Sequence, residues 1–333
     1  PARGRGDAAG PLHRMTDPVA VTGASGFVGR ALIGQMLEAG RPVRALVHRQ
    51  GLGISHPLLE TVTGGLSDKA ALTKLMAGAQ AVVHVAGQVR GRDLADFLGV
   101  NADGVTNVAK SAQAAGVRRV ILISSLAARE PHLSPYAASK RAGEDRLAEV
   151  SLNADFTSAI LRPPAIYGPE DRELVPLFQT MARGIVPLPG VAGARASLLH
   201  VDDLARAIVK LLDSAAEATY ELDDGHEAGY SWDEIATIVE RVAGRGRGWR
   251  VKLPGGILRA VATGNLMASK ILGYSPMLTP GKVNELRHPD WVCDNTEISR
   301  DTGWQPLVSL ENGLSSILRG TPLKIDRGIT NVT

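Results

Sequence analysis

Residues 19–29 read Val19-Ala20-Val21-Thr22-Gly23-Ala24-Ser25-Gly26-Phe27-Val28-Gly29. A short apolar run ends in three glycines spaced G-x-x-G-x-x-G, and an amphipathic segment, Arg30 to Ala39, follows at once. The pattern is that of a buried strand, a tight turn and a helix start, where peptide N–H groups and the helix dipole suit a dinucleotide pyrophosphate. Gly23 permits the turn out of the strand, and Gly26 lets the backbone approach the phosphates. Gly29 lets the helix pack closely on the sheet. Glycine supplies 37 of the 333 residues, so the motif needs support from the rest of the chain.

Outward from this stretch, short apolar runs alternate with helical patterns as far as about residue 162. Val19–Val21, Val43–Val47, Ala81–Val85, Val120–Ile123 and Thr157–Leu161 read as strands, with helices expected from Asp68 to Met76 and from Val105 to Ala115. Continuous apolar strands separated by helices predict a parallel sheet covered on both faces. The expected fold is therefore α/β: a Rossmann-type doubly wound parallel sheet with a smaller C-terminal substrate-binding lobe. The expected division is a Rossmann domain over 15–162, with later elements near 197–223 returning to it. The lobe is expected over 163–196 and 224–320, with a tail over 321–333. Residues 1–14, rich in Gly, Pro and Arg, read as a disordered extension or a remnant appended ahead of a natural start at Met15, with a transit peptide as the lesser alternative.

Bulk composition excludes several function classes. The chain is 44% hydrophobic, 21% charged and only 4% aromatic, which disfavours a stacking surface for single-stranded nucleic acid. The formal charge is only +3, so the pI near 9.1 reflects a small excess with no basic run, and nucleic acid is not expected as a partner. Cys293 is the single cysteine, which rules out an internal disulfide or a cysteine zinc site and fits a reducing, cytoplasmic location. No metal site is expected. No apolar run reaches the roughly 18 residues that would span a bilayer.

The end of the second strand bears on the cofactor. Strands of this kind that favour NAD usually end in an acid that binds the adenosine ribose. Here the end reads Val47-His48-Arg49-Gln50. A guanidinium there pairs with a ribose 2′-phosphate, so NADP(H) is the expected cofactor, with NAD(H) the alternative. A solvated strand-end arginine is the competing reading. Leu66, after the next strand, falls near the adenine.

Ser124 and Ser125 close the strand Val120–Ile123, at the sheet edge where open α/β folds bind ligands. Eleven residues beyond Ser125 comes Tyr136-Ala137-Ala138-Ser139-Lys140, opening a helix towards Val150. A spacing of four puts Tyr136 and Lys140 on one helix face. An ammonium beside the phenol is expected to favour the phenolate, while Ser125 donates a hydrogen bond to a substrate oxygen.

TGASGFVG, HVAG, VNADGV, ISS, YAASK, LRPPAIYGP and HVDDLA, in that order, resemble the extended short-chain dehydrogenase/reductase family, the NAD(P)-dependent epimerase/dehydratase group. The resemblance covers roughly residues 18 to 318. It implies that Tyr136 is the acid/base, that Lys140 binds the nicotinamide ribose and tunes Tyr136, and that Ser125 polarises the substrate, with Ser124 as the fallback. It implies further that Asn101 supports the active site, a helix N-cap or turn role being its competitor. Gly23, Ser25, Gly26, Phe27, Val28 and Gly29 would line the pyrophosphate. His48, Arg49, Leu66, Ala86, Gly87 and Pro163 would lie along the cofactor, together with Tyr136 and Lys140. A small-molecule substrate and a homodimer belong to the same implication.

In the second half, Asp202 or Asp203 is expected to cap a helix, and Ser231 to Glu234 is a capping box for a helix to Val242. Gly256 to Leu272 reads as an apolar helix; packing into the lobe is the favoured reading, with a membrane surface or bulky ligand as the alternative. The chain also departs from the group. Leu126-Ala127 stand where dehydratases carry Asp-Glu, and Ala196 stands where relatives place a pyrophosphate-binding arginine, with Arg195 next door. The expectation is an NADP(H)-dependent oxidoreductase acting on a carbonyl or secondary alcohol. The alternatives are an NAD-dependent nucleotide-sugar 4-epimerase and a non-catalytic NAD(P)-binding subunit.

Overall fold

The computed structural model describes residues 17–48 and 51–323. Arg49, the N-terminal extension and most of the tail fall outside them. Seven strands form the main sheet: β1 (Val19–Thr22), β2 (Val43–Val47), β3 (Leu59–Thr63), β4 (Ala81–His84), β5 (Arg119–Ile123), β6 (Thr157–Arg162) and, arriving much later, β11 (Thr219–Glu221). Their spatial order is β11-β6-β5-β4-β1-β2-β3, and every pairing is parallel. The direction of winding reverses between β1 and β4, the crevice where such sheets bind ligands.

Helices cover both faces, which is why β1, β4 and β5 are buried at every residue. On one face α1 (Phe27–Glu38) and α7 (Val201–Leu212) contribute Leu32, Ile33, Met36, Leu204, Ile208 and Leu211 to a core shared with Val19, Val21 and Ile121. On the other, α2 (Lys69–Met76), α4 (Asp103–Ala114) and α5 (Pro135–Ser151) contribute Leu72, Leu75, Val105, Val108 and Leu147. Each such side chain, fully buried, contributes roughly 1.5–3 kcal/mol. The short helix α3 (Leu94–Asn101) and a 3₁₀ turn at Leu126–Arg129 connect these layers at the C-terminal ends of the strands.

The remaining elements build a smaller lobe with its own core. Strand β7 (Ala165–Tyr167) pairs with β10 (Leu198–His200), β8 (Ile185–Leu188) with β12 (Trp249–Lys252), and β9 (Arg195–Ala196) with β13 (Asp290–Trp291). Phe178 and Met181 of α6 (Val175–Ala182), Ile235 and Val239 of α8 (Trp232–Val242) and Leu314 of α12 (Leu310–Arg319) close around the fully buried Tyr167. The capping box expected at Ser231 and Glu234 is present.

Two expectations need correction. His200, not an aspartate, caps α7: its Nδ1 accepts from Asp202 N–H at 3.3 Å. Asp203 instead is buried and accepts from the N–H groups of Leu307 and Val308, while pairing with Arg206. It braces a distant loop against α7. The apolar helix, α9 (Gly255–Leu272), does form, but only Ala262 and Ser269 are buried along it. Ile257, Val261, Met267, Ile271 and Leu272 stand exposed. Of the remaining helices, α10 (Pro280–Leu286) packs on α9 and α11 (Thr296–Thr302) packs beside β11.

Candidate active site

The glycine turn is built as its spacing implies. Gly23 has φ 69°, and a Cβ there would stand 2.4 Å from the Ala86 backbone nitrogen. The turn therefore lies directly against the loop after β4. A Cβ on Gly29 would come within 2.2 Å of Gly23 O, so α1 starts in backbone contact with the turn. Gly26 is the N-cap of α1 and offers no side chain. The first bond along the helix is Arg30 N–H to Gly26 O, so the N–H groups of Phe27, Val28 and Gly29 precede it and point from the positive end of the helix dipole. Ser25 and Gly26 are exposed. This cradle of bare backbone donors fits a pyrophosphate.

Helix α5 carries the chemical groups. Ser134 caps it by accepting from Ala137 N–H at 2.9 Å, and Pro135 opens its first turn. Tyr136 is thereby fixed in the first turn and Lys140 one turn on. Lys140 is buried and its Nζ donates to Ile123 O, the end of β5, at 2.8 Å. A Cβ on Gly87 would lie 3.7 Å from both Lys140 Nζ and Asn101 Oδ1, so the loop after β4 joins the glycine turn to these side chains. Burial pushes the Lys140 ammonium down to about 8, against a smaller upward pull from Glu144.

Asn101 ends α3 and caps nothing. Its Oδ1 accepts from Gln88 N–H at 2.8 Å, and its Nδ2 donates to Gln88 O and to Ser139 Oγ, each at 2.9 Å. It locks the loop after β4 to α5. The two serines diverge. Ser124 is buried and donates to Glu144 Oε1 at 2.5 Å. Ser125 caps the 3₁₀ turn, accepting from Ala127 N–H at 3.2 Å, and its hydroxyl interacts with the Tyr136 phenol.

The Tyr136 environment differs from the one expected. Burial raises its pKa above the ordinary 10.0, opposed by the Ser125 hydroxyl and by the Lys282 charge. The cation beside the ring is thus Lys282 of α10, whose Nζ sits 5.8 Å from the ring centroid. Lys282 is held by Glu285 at 2.7 Å, and Glu285 also receives the Ser134 hydroxyl. Phe97 packs edge-on against Tyr136, centroids 6.0 Å apart. Behind Lys140, Glu144 gathers Ser124 and, at 2.5–2.9 Å, both arms of Arg162. Sequence reasoning missed Lys282, Glu285, Phe97, Glu144 and Arg162. Only Glu144 left a signal, standing one further turn along the Tyr136–Lys140 face.

Other expected cofactor contacts take these places. Leu66 packs under Gly104, and its carbonyl accepts from Asn107. Pro163 O accepts from Leu126 N–H at 2.9 Å. His48 is exposed at the end of β2, its ring close to Gly65. Among the described residues no cluster of His, Cys, Asp and Glu could hold a metal. Cys293 is buried and its thiol is pushed up to about 12 by burial, so it is no nucleophile.

Residues 19–222 match the NAD dependent epimerase/dehydratase family. The chain belongs to that family. It is an NAD(P)-dependent enzyme of the extended short-chain dehydrogenase type. The ceramide reductase of Caulobacter vibrioides is 42% identical over 281 residues, covering 82% of this chain and 85% of that protein. A 3 beta-hydroxysteroid dehydrogenase/Delta 5-->4-isomerase of Mycobacterium tuberculosis is 27% identical, covering 92% and 93%. The structure of MoeE5 with UDP-glucuronic acid and NAD aligns with a TM-score of 0.70 at 22% identity, over 91% of this chain and 98% of that one. This last likeness concerns the fold.

Two departures from the epimerase/dehydratase pattern now have a structural form. Leu126 and Ala127 are buried in the 3₁₀ turn and bring no acid or base to the site. Arg195 donates to Ala228 O at 2.6 Å and Gly229 O at 2.7 Å, and pairs with Glu234 at 3.0 Å. Its guanidinium is committed within the lobe.

Two buried histidines should destabilise the fold in acid. His84 bonds Thr22 across β4 and β1 at 2.8 Å, and burial, then Lys140, holds its imidazole down to about 3. His200 is held at about 4, first by burial and then by Arg206. Unfolded imidazoles titrate near 6.5, so from about pH 6.5 down to about 3 at His84 and about 4 at His200 these two sites bind more protons in the unfolded chain than in the folded one. Their contribution is complete above that window and is lost as pH falls through it. Thermal melts should therefore show Tm falling steadily from about pH 6.5 to 4; a flat Tm there contradicts the assignment.

Proposed function

We propose that this enzyme is an NADP(H)-dependent oxidoreductase interconverting a carbonyl and a secondary alcohol, on an apolar substrate of the ceramide class. The observation that carries the reading is the convergence of Ser125, Tyr136 and Lys140 beside the loop that backs the glycine turn. The ceramide reductase likeness supports the direction of reaction and the substrate class. Against nucleotide-sugar 4-epimerisation stand the internal commitment of Arg195 and the strand-end Arg49. Retention of the whole Ser/Tyr/Lys set stands against a purely cofactor-binding subunit.

A nicotinamide cofactor supplies or accepts the hydride. The backbone N–H groups of Phe27, Val28 and Gly29 would hold its pyrophosphate, and Arg49 would meet the 2′-phosphate. In reduction the carbonyl carbon gains the hydride, and Tyr136 Oη passes its proton to the substrate oxygen. Ser125 Oγ donates a hydrogen bond to the same oxygen as charge grows there. A phenol pKa above 10 keeps Tyr136 protonated through neutral pH, which suits the reductive direction. Lys140, tethered to Ile123 O, holds its charge next to the ribose position below about pH 8. A cytoplasmic location and a homodimer belong to the same reading.

Titration with NADPH and NADH, followed by nicotinamide fluorescence, tests it. NADPH should bind at least tenfold more tightly, and Arg49→Ala should remove most of that margin, since a charge-assisted pair contributes about 1.5–3 kcal/mol. Stoichiometric NAD released from the purified protein on denaturation would instead favour the epimerase. Binding of neither cofactor would favour the non-catalytic subunit.

A further inference from the structure

We propose that α9, with the strand β12 that leads into it, docks the enzyme on the surface of an anionic lipid bilayer. At 100° per residue, Ile257, Val261, Met267, Ile271 and Leu272 fall on one arc of roughly 140°, with only alanine and glycine between them. Each of the five is more than half exposed, Ile271 reaching 84%. The opposite side, at Ala262 and Ser269, is the one that meets the protein. An amphipathic helix that turns its apolar face outward has no reason to do so in water; it needs an apolar phase. No helix among the described residues is long and apolar enough to cross a membrane, so the helix lies on the surface.

Charge identifies the occupant. From Arg241 to Asn284 the sequence has no Asp or Glu and eight Arg or Lys. The whole chain carries only +3, so the rest of it is net acidic. Arg241, Arg250 and Lys282 are paired with glutamates. Arg245, Arg247, Lys252, Arg259 and Lys270 are exposed and make no ion pair among the described residues. On the helix, Arg259 and Lys270 fall roughly 130–150° round from the centre of the apolar arc, so the cations offered to a headgroup layer are Arg245, Arg247 and Lys252, on the stretch that leads into the helix. Trp249, between Arg247 and Lys252, is 73% exposed; an indole with an apolar body and one polar N–H suits the bilayer interface.

The position matters for the enzyme. Arg259 and Asn265 of α9 hydrogen-bond to Asn284 of α10 and to Leu278 O just before it. Helix α10 in turn brings Lys282 over the Tyr136 ring. One helix layer thus separates the proposed bilayer contact from the candidate acid/base, a placement suited to a substrate drawn from lipid. The docking claim itself does not depend on the cofactor or the reaction.

Co-sedimentation of the full chain with phosphatidylcholine vesicles, with and without phosphatidylglycerol, tests the proposal. The protein should pellet with the anionic vesicles, be released by added salt, and stay in solution with neutral ones. Ile271→Glu and Val261→Glu alter exposed side chains and should each cut partitioning by about tenfold or more. Arg247→Gln, two residues from the exposed Trp249, should cut it about fivefold. Binding of NADPH by these variants, equal to wild type, shows that they are folded. Absence of binding to anionic vesicles, or equal binding to neutral ones, overturns the proposal. So does sedimentation velocity in which Ile271→Glu dissociates a dimer, because a second copy would then cover the face.

Discussion

Replacing Tyr136 by Phe should lower kcat by about 10²–10⁴-fold while leaving NADPH affinity within about twofold. The variant removes one oxygen. The N-cap at Ser134, the edge-on contact with Phe97 and the Lys282–Glu285 pair above the ring all remain available to a phenylalanine. Folding should therefore be retained, and the loss should fall on kcat. Steady-state kinetics with a thermal melt of the same preparation check this. A variant that keeps wild-type kcat would remove Tyr136 from the chemistry. The wild-type pH profile carries the same logic. Oxidation of the alcohol needs the phenolate, so with a Tyr136 pKa above 10 its rate should climb through alkaline pH. Reduction should weaken above about pH 8, as Lys140 loses its charge.

The second large effect is structural. Gly29→Ala places a methyl 2.2 Å from Gly23 O and 2.9 Å from Ala24 Cα. Neither atom belongs to a side chain that could rotate away, so α1 must shift off the turn. Overpacking of this kind costs about 3 kcal/mol, and the displaced N–H groups should lose dinucleotide affinity by tenfold or more. Gly34→Ala in the same helix is the control. A Cβ there meets nothing within 4 Å, so the variant should be more stable by about 0.5–1 kcal/mol. Denaturant melts and NADPH titration of the pair separate a packing requirement at Gly29 from a general cost of altering α1.

These results bear on what the chain discloses before folding is known. The central strands are legible because they are short and apolar, with β1, β4 and β5 covered on both faces; the edge strand β3, with only Val62 buried, is too polar to stand out. Tyr136 and Lys140 were legible because their relation is local, a single helical turn. Lys282 and Glu285 were not: they reach Tyr136 from α10, and no local pattern encodes a contact made across the lobe. For that reason the ammonium assigned to the phenol was Lys140 alone. His200 was overlooked as a cap because Asp202 and Asp203 follow it and are the commoner capping residues. The periodicity of α9 is legible in the sequence, but which of its sides meets the protein is not. A 3.6-residue pattern says that one face is apolar, and it is silent on whether protein or lipid meets that face.

The central claim is net hydride transfer to a carbonyl at the Ser125–Tyr136–Lys140 site. Its most direct test is turnover of the purified enzyme with NADPH against a series of aldehydes and ketones that includes a keto-ceramide, with cofactor and product both quantified. The account predicts NADP⁺ and alcohol formed in equal amounts by the wild type and neither by Tyr136→Phe. Epimerised product with no net oxidation of NADPH, or equal turnover by Tyr136→Phe, would contradict it.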